Sequence, residues 1–375
     1  MSKFAINNFD IDNFLENYWQ KKPLLLSEGL PDIALSLTGD ELAGLSLDPE
    51  IESRLIISKN NQFTVQQGPF EPSDFSSLKN LSWSLLVQAV DQWVEEIHEL
   101  KSLFDFIPAW RLDDIMISYS SKGGSVGPHF DFYDVFLIQV LGNKTWHLGQ
   151  HCDESTPLLP HPALKLLEDF EPYQTHRLAP GDILYVPPGK SHHGIAETDD
   201  CMTISIGFRA PSFGEIVDQL GATLLEKLPE SVRYEDENLI EQYEQNHPAE
   251  ISVKNLASIK NQLINIIQDD TLIAHIFGTL MTEQRYTPES LTEYYVGETY
   301  IKCLDARIAY THFEDKLLVF INGNTFAASA EHLETVQLYC DQSLHTIAEN
   351  EDYAVMEIFK KMLEFGAFEL LENEV

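Results

Sequence analysis

The chain has 375 residues, with 60 acidic against 24 basic side chains and a formal net charge of −36. Hydrophobic residues make up 43% of it, which is too many for a disordered acidic tail. The charge repels phosphate backbones and so excludes general binding to nucleic acid or to anionic membranes, whereas a basic partner is favoured.

The first residues do not form the apolar core of a signal peptide, and no apolar run approaches the roughly 20 residues that cross a bilayer. The four cysteines, Cys152, Cys201, Cys303 and Cys340, are widely spaced and form no CxxC pair. This spacing argues against a disulfide framework and against a cysteine zinc site. A cytoplasmic protein with no membrane association is therefore expected.

The segment from residue 1 to about 105 is predicted to be mostly helical, with short extended pieces. Two apolar stripes recur at helical spacing, and Pro23 ends the first of them. The stripes comprise Phe9, Phe14, Leu15, Tyr18 and Trp19, and then Trp83, Leu86, Val87, Val90, Trp93 and Ile97. Both are typical of helices packed on a core.

Residues from about 111 to 209 alternate short segments rich in Ile, Val, Tyr and Phe with Gly and Pro turns. Strands are predicted over 114–120, 135–140, 182–186 and 202–208. Short strands of this kind predict a sandwich or barrel of antiparallel strands.

Helical spacing returns after Pro211. Helices are predicted over 213–228 and 256–276, separated by an acidic stretch over 230–250 that is typical of a solvated linker or an exposed helix. A hairpin is predicted over 316–328, where Gly323 supplies the positive φ that a tight turn needs.

The sharpest motif is Gly127-Pro128-His129-Phe130-Asp131. If it opens a strand, the side chains of His129 and Asp131 point to the same face. A third candidate ligand, His192, lies just beyond a Pro-Pro-Gly turn. Two histidines and one carboxylate on one face of a metal are the donor set of non-haem Fe(II) oxygenases. Strand alternation lets only one of His192 and His193 face the metal, and the spacing does not choose between them.

Lys144 is the candidate for binding an acidic co-substrate. A lysine buried in a barrel is costly unless it is paired, and a dicarboxylate such as 2-oxoglutarate would pair with it. The alternative is an exposed hairpin lysine. The hydroxyls of Ser120, Thr203 and Ser205 could donate to the same carboxylate, although most serines in strands have no catalytic role.

Several stretches, in this order, closely resemble the bacterial JmjC-type ribosomal oxygenases of the cupin family. They are YWQKKP over 18–23, WSLLVQAV over 83–90, DDIMISYS over 113–120, GPHFDFYDVF over 127–136, PGDILYVPPG over 180–189 and GFRAP over 207–211. The resemblance covers the whole chain.

The resemblance implies an α+β protein with three parts. These are a double-stranded β-helix catalytic domain over 1–211, a helical dimerisation region over 212–285 and a winged-helix-like domain over 286–375. It also implies a protein hydroxylase that depends on Fe(II), 2-oxoglutarate and O₂ and acts at C3 of an arginine in a large-subunit ribosomal protein.

Carried over by motif, the resemblance makes His129, Asp131 and His192 the iron ligands and leaves His193 at a variable position. It places Lys144 on the co-substrate, where close members often carry arginine. The lysine keeps the charge but lacks the bidentate fork. Ser120 matches a serine near the co-substrate.

Two alternatives stay open. One is a related oxygenase with another target, such as a ribosomal histidine, a methyl-lysine or a modified RNA base. The other is a non-enzymatic cupin-like binding module. A winged helix usually suggests DNA, but residues 301–375 contain few basic side chains. A scaffold or protein-docking role without DNA is therefore favoured, together with a homodimer formed by the helical region.

Overall fold

The computed structural model describes residues 5–371 apart from 60–61, 236–238, 245–248, 287–290, 292 and 349–351. The chain divides into two compact units, Met1–Ala210 and Pro211–Val375. No helix in the described part is long and apolar enough to span a membrane. The predicted three-domain division stays a prediction.

The first unit contains eleven strands and four short α-helices among its described residues. The strands are β1 (Leu24–Leu26), β2 (Ser53–Lys59), β3 (Gln62–Gln67), β4 (Ser82–Val87), β5 (Leu112–Ser120), β6 (Asp134–Leu141), β7 (Lys144–His151), β8 (Gln174–Leu178), β9 (Ile183–Val186), β10 (Lys190–Ala196) and β11 (Cys201–Phe208). The helices are α1 (Ile11–Asn17), α2 (Gly39–Leu45), α3 (Pro72–Ser76) and α4 (Glu95–His98).

These strands form two antiparallel sheets, a large one ordered β1-β9-β6-β11-β5-β4-β2-β3 and a small one ordered β10-β7-β8. In β6, Val135 and Leu137 pack in a small apolar cluster with Trp146 of the small sheet, whereas Phe136 and Ile138 join the main core. Alternate side chains of a strand point to opposite faces, so a strand buried on both faces reads as a continuous apolar run. The antiparallel sheets confirm the predicted α+β class.

The second predicted stripe is not one helix. Its first part, Ser82–Val87, is strand β4 between β2 and β5. A left-handed residue, Ala89, then turns the chain into the short 3₁₀ helix Val90–Gln92 and into α4. The prediction was wrong because a short apolar run buried on both faces fits helical and strand spacing equally well.

The second unit comprises six helices and six strands in its described part. The helices are α5 (Phe213–Lys227), α6 (Leu239–Glu244), α7 (Val253–Ile267), α8 (Asp270–Thr282), α9 (Leu333–Asp341) and α10 (Tyr353–Glu364). The strands are β12 (Thr299–Lys302), β13 (Ile308–His312), β14 (Lys316–Ile321), β15 (Asn324–Ser329), β16 (Leu344–Thr346) and β17 (Phe368–Leu370).

Two local features of this unit follow from capping and turn chemistry. The helix predicted over 256–276 is broken because the Asp269 side chain accepts from the backbone N–H groups of Thr271 and Leu272 and starts α8. The predicted hairpin is present as β14 and β15, and both of its turn residues, Asn322 and Gly323, have positive φ. The winged-helix assignment stays a prediction.

Candidate active site

The backbones of His129 and His192 pair directly. His129 N donates to His192 O at 3.1 Å, and His192 N donates to His129 O at 2.8 Å. The amide of Gly189 also donates to the Asp131 carbonyl at 2.7 Å. The motif is therefore an extended segment held against β10 by an isolated bridge, and not the start of a regular strand as predicted.

The backbone also fixes both imidazole rings. His129 Nδ1 lies 2.9 Å from the Gly127 carbonyl, and His192 Nδ1 lies 3.0 Å from the Lys190 carbonyl. A carbonyl oxygen only accepts, so each Nδ1 carries the proton and each Nε2 keeps its lone pair. Burial and the neighbouring His129 lower the pKa of His192 to about 4, which keeps that ring neutral.

The two free Nε2 atoms converge on Asp131. Its Oδ2 lies 3.8 Å from His129 Nε2 and 3.6 Å from His192 Nε2. Within the described residues, these three side chains are the group of histidine, cysteine, aspartate or glutamate residues placed to hold one metal ion, with ligand atoms within 4.8 Å of one another. The structure thus brings together the three residues that the sequence nominated.

The strand register separates His192 from His193. Gly194 pairs with Trp146 and Ala196 with Lys144, so the even-numbered residues of β10 face the same way as these two. His193 points to the other face, where its Nε2 lies 3.0 Å from Ser125 Oγ. This placement favours His192 as the ligand.

Lys144 is buried beside the three candidate ligands and is not an exposed hairpin lysine. Its Nζ lies 3.4 Å from Ser118 Oγ and 5.0 Å from the centre of the Trp146 ring. Gly194 makes room for both, since a Cβ there would lie 2.9 Å from Lys144 Cε and 2.8 Å from the indole. Burial lowers the pKa of Lys144, and no described carboxylate pairs with it.

The Ser120 hydroxyl bonds to a different side chain from Lys144. It lies 2.8 Å from Ser84 Oγ, one strand away, and Ser120 is outside the cavity that contains the metal cluster. Ser118 and Ser120 share a face of β5 but sit at different positions along it. Ser118 is the serine whose hydroxyl contacts Lys144, and the co-substrate role of Ser120 stays a prediction. Thr203 is also occupied, because its hydroxyl donates to Gln139.

The cluster opens into a cavity of about 320 Å³ between the two sheets. The long loop over 152–173, between β7 and β8, forms part of its wall through Leu164 and Leu166. His161 anchors this loop: its Nε2 donates to the Phe63 carbonyl, and its Nδ1 accepts from the backbone of Ala163 and Leu164.

Tyr133 and Asp134, which follow Asp131 in sequence, have separate roles. The charge of Asp131 raises the pKa of Tyr133 above its usual value, although the residue is 43% exposed, so that this phenol in the cavity wall stays protonated. Asp134 is fully buried elsewhere and accepts from Tyr185 Oη at 2.5 Å and Gln20 Nε2 at 3.1 Å. These bonds tie the start of β6 to β9 and to the segment before β1, and Asp134 does not line the cavity.

Comparison with known proteins places this geometry in a family. Residues 99–216 match the JmjC domain. Over 280 residues the chain is 37% identical to the ribosomal protein uL16 3-hydroxylase of Escherichia coli K12, across 73% of this chain and 72% of that one. The chain belongs to the JmjC-type ribosomal oxygenases.

Solved ribosomal oxygenases share the fold of nearly the whole chain. An X-ray structure of E. coli YcfD superimposes with a TM-score of 0.81 and 29% identity, over 98% of this chain and 99% of that one. The E. coli ribosomal oxygenase YcfD in complex with cobalt and 2-oxoglutarate gives a TM-score of 0.79 and 28% identity, over 99% and 100%.

Sequence reasoning missed several residues of this ribosomal oxygenase that line the cavity. Trp146, Ser118, Arg54 and Lys165 were not singled out. Arg54 lies in the segment predicted to be mostly helical, so nothing along the chain connected it with the strands that carry the metal cluster. Only the cross-strand register brings it there.

Proposed function

We propose that this protein is an Fe(II)- and 2-oxoglutarate-dependent protein hydroxylase that modifies C3 of an arginine in the large-subunit ribosomal protein uL16. One observation carries the chemistry: two histidine Nε2 atoms and one carboxylate converge in a cavity that also contains a buried lysine, which no carboxylate among the described residues pairs with. The 37% identity to a uL16 3-hydroxylase supports the substrate.

The donor set fits the metal. His129, Asp131 and His192 would hold Fe(II), since two neutral imidazoles and a carboxylate on one side leave the other positions open. The carbonyls of Gly127 and Lys190 orient the rings before any metal arrives.

The surroundings fit an acidic co-substrate. Lys144 is a buried cation in need of an anion, and Ser118 can donate to the same group. The indole Nε1 of Trp146 is buried in this cavity with no hydrogen-bond partner among the described residues. A bound carboxylate would satisfy the charge of Lys144 and give these donors an acceptor.

Bound iron, 2-oxoglutarate and O₂ supply the oxidising power for hydroxylating an unactivated carbon, with succinate and CO₂ as the other products. The chain's own residues bind and orient. Lys144 and Ser118 hold the far carboxylate of the co-substrate, Asp131 and the two histidines fix the position of the metal, and the loop over 152–173 helps to shield the cavity from water.

Product analysis with two histidine variants tests this function. The protein is incubated with Fe(II), 2-oxoglutarate and a recombinant uL16 fragment, and an arginine-localised gain of 16 Da is expected by mass spectrometry. H192A should lose iron and activity, whereas H193A, a matched control one residue away on the other face, should keep both.

Three results would contradict the proposal in different ways. Equal iron retention by the two variants would reject His192 as the ligand. A 16 Da gain on histidine, or loss of a methyl group from lysine, would replace arginine as the target. Absence of bound iron after anaerobic purification, together with absence of succinate, would indicate a binding module.

The proposal includes a cytoplasmic homodimer. Helix α7 carries a stripe of exposed apolar residues at helical spacing, Leu256, Ile259, Leu263 and Ile267. Helix α5 adds Phe213, Val217 and Leu225, which are at least 62% exposed. Apolar stripes of this length are normally covered, and a second copy of the same surface can cover them by twofold symmetry. A ribosomal substrate supports the location.

A further inference from the structure

The cavity extends beyond the residues assigned to metal and co-substrate. Across the large sheet, Ser118 of β5 pairs with Leu86 of β4, which pairs with Arg54 of β2. Directly paired residues share a face, so these side chains point the same way. Two strand spacings put Arg54 about 10 Å across the sheet from Ser118. Arg54 therefore lines the same cavity at a distance from Ser118 and Lys144.

Arg54 is half-buried and has no carboxylate or hydrogen-bond partner for its guanidinium in the described part of the chain. Lys165, an exposed residue of the loop over 152–173, lines the same cavity and adds a second cation there. A guanidinium presents five donors in a planar fork that matches a carboxylate. Leaving such a group unpaired in a partly desolvated position is unfavourable unless a ligand completes it.

The net charge of the cavity also favours an additional anionic ligand. With the proposed chemistry in place, the iron ion, the dianionic co-substrate, Asp131 and Lys144 are together neutral. Arg54 and Lys165 then add two positive charges that this chemistry does not use. They stand out in a protein with 60 acidic and 24 basic residues, and a cationic target side chain would raise the local positive charge further.

We propose that Arg54, assisted by Lys165, binds a carboxylate of the protein substrate, from an aspartate or glutamate within a few residues of the hydroxylated one. This inference rests on the proposed function and adds a second recognition element to it. The substrate segment would then carry a cationic target and a nearby acidic residue. Such a pair is a more selective signature than basicity alone, because an unpaired guanidinium would disfavour segments that lack the acid.

Steady-state kinetics with paired changes in enzyme and substrate tests the inference. Each acidic residue of a uL16 fragment that the enzyme hydroxylates is replaced in turn by its amide. One amide fragment should raise the fragment KM of the wild-type enzyme about 10- to 100-fold. R54M should raise the KM of the parent fragment similarly, leave the KM for 2-oxoglutarate unchanged and add little to the effect of that amide.

K59M is the matched control, since Lys59 is an exposed cation on the same strand and does not line the cavity. It should leave the fragment KM unchanged. R54K should recover part of the loss, because it keeps the charge without the fork. The amide series uses the wild-type enzyme and stays informative even if R54M folds poorly.

The inference is overturned if R54M behaves like K59M, or if it raises the KM for 2-oxoglutarate as much as that of the fragment. An R54M effect that is equal for the parent and for every amide fragment also overturns it, because the anion is then not a substrate side chain. Failure of the wild type to hydroxylate any ribosomal fragment would instead overturn the proposed function.

Discussion

At the scale of single residues, Lys144 combines a cost to folding with a gain in binding. Its ammonium is buried against Trp146 and Ser118 and has no described anionic partner. Residues that break a rule of folding in this way are typical of functional sites. Stability and co-substrate affinity should therefore respond to its replacement in opposite directions.

We expect K144M to raise the melting temperature of the co-substrate-free protein, because an unpaired buried charge is removed. The same change should raise the KM for 2-oxoglutarate about 10- to 100-fold, because a charge-assisted hydrogen bond is lost. Differential scanning fluorimetry and succinate release measure the two effects. K122M, at an exposed turn lysine, should alter neither. Loss of stability in K144M would show that the lysine is structural.

At the scale of elements, the side chain of His161 links the loop over 152–173 to β3. His161 donates to the Phe63 carbonyl and accepts from two backbone amides of its own loop. A neutral imidazole can do this because one ring nitrogen donates a hydrogen bond while the other accepts. His161 therefore helps to hold the wall of the cavity at Leu164 and Leu166, together with the bond from Leu167 N to the Pro128 carbonyl.

H161A should leave this loop more open. We expect faster proteolytic cleavage within 152–173, together with a several-fold higher KM for the protein substrate and an unchanged iron content. Limited proteolysis followed by mass spectrometry measures the first effect. H312A, at an exposed histidine of the second unit, is the control. Unaltered cleavage in H161A would mean that the apolar contacts of the loop suffice to hold it.

The elements also show what the sequence could predict and why the rest was missed. Strands β5, β6, β9 and β11 have Gly or Pro turns beside them and were predicted nearly to their ends. β4 was misread because Leu85, Leu86 and Val87 form a short run that is buried on both faces, so its periodicity is ambiguous.

The metal ligands could be predicted because they lie in recognisable sequence motifs, whereas the other residues of the cavity come together only through strand pairing. His129 and Asp131 are close in sequence, and the turn before His192 marks the third residue. Arg54 and Ser118, by contrast, reach the same cavity through pairings across three strands. Such contacts are set by the strand register, because a one-residue slip would turn each side chain to the opposite face of the sheet. The prediction of Ser120 rests on its match to a family serine, and strand alternation does not separate it from Ser118 because both lie on the same face.

At the scale of the whole molecule, formation of the proposed homodimer must overcome the electrostatic repulsion between two like-charged chains. A chain with a net charge of −36 repels a second copy, so apolar burial has to supply the attraction. The exposed stripe on α7 offers it, with Leu256 and Leu263 more than half exposed in the single chain. Dimerisation should accordingly strengthen with added salt, which screens the repulsion and leaves the apolar contact intact.

We expect the wild type to elute as a dimer at micromolar concentration and L263E to elute as a monomer, because the substitution places a charge in the apolar contact. L338E on α9 carries the same change at a comparably exposed leucine and should stay dimeric. Light scattering coupled to size exclusion measures both. A monomeric wild type, or a dimeric L263E, would reject this interface.

The direct pairing of His129 with His192 also has a topological consequence. These residues lie on either side of a stretch of chain that contains strands β6 to β9. A metal ion bound to both imidazoles closes that stretch into a loop, much as a disulfide would, and so limits the conformations open to the unfolded chain. Bound iron would thus act as a reversible cross-link as well as a catalytic metal, and its loss would lower the stability of the barrel.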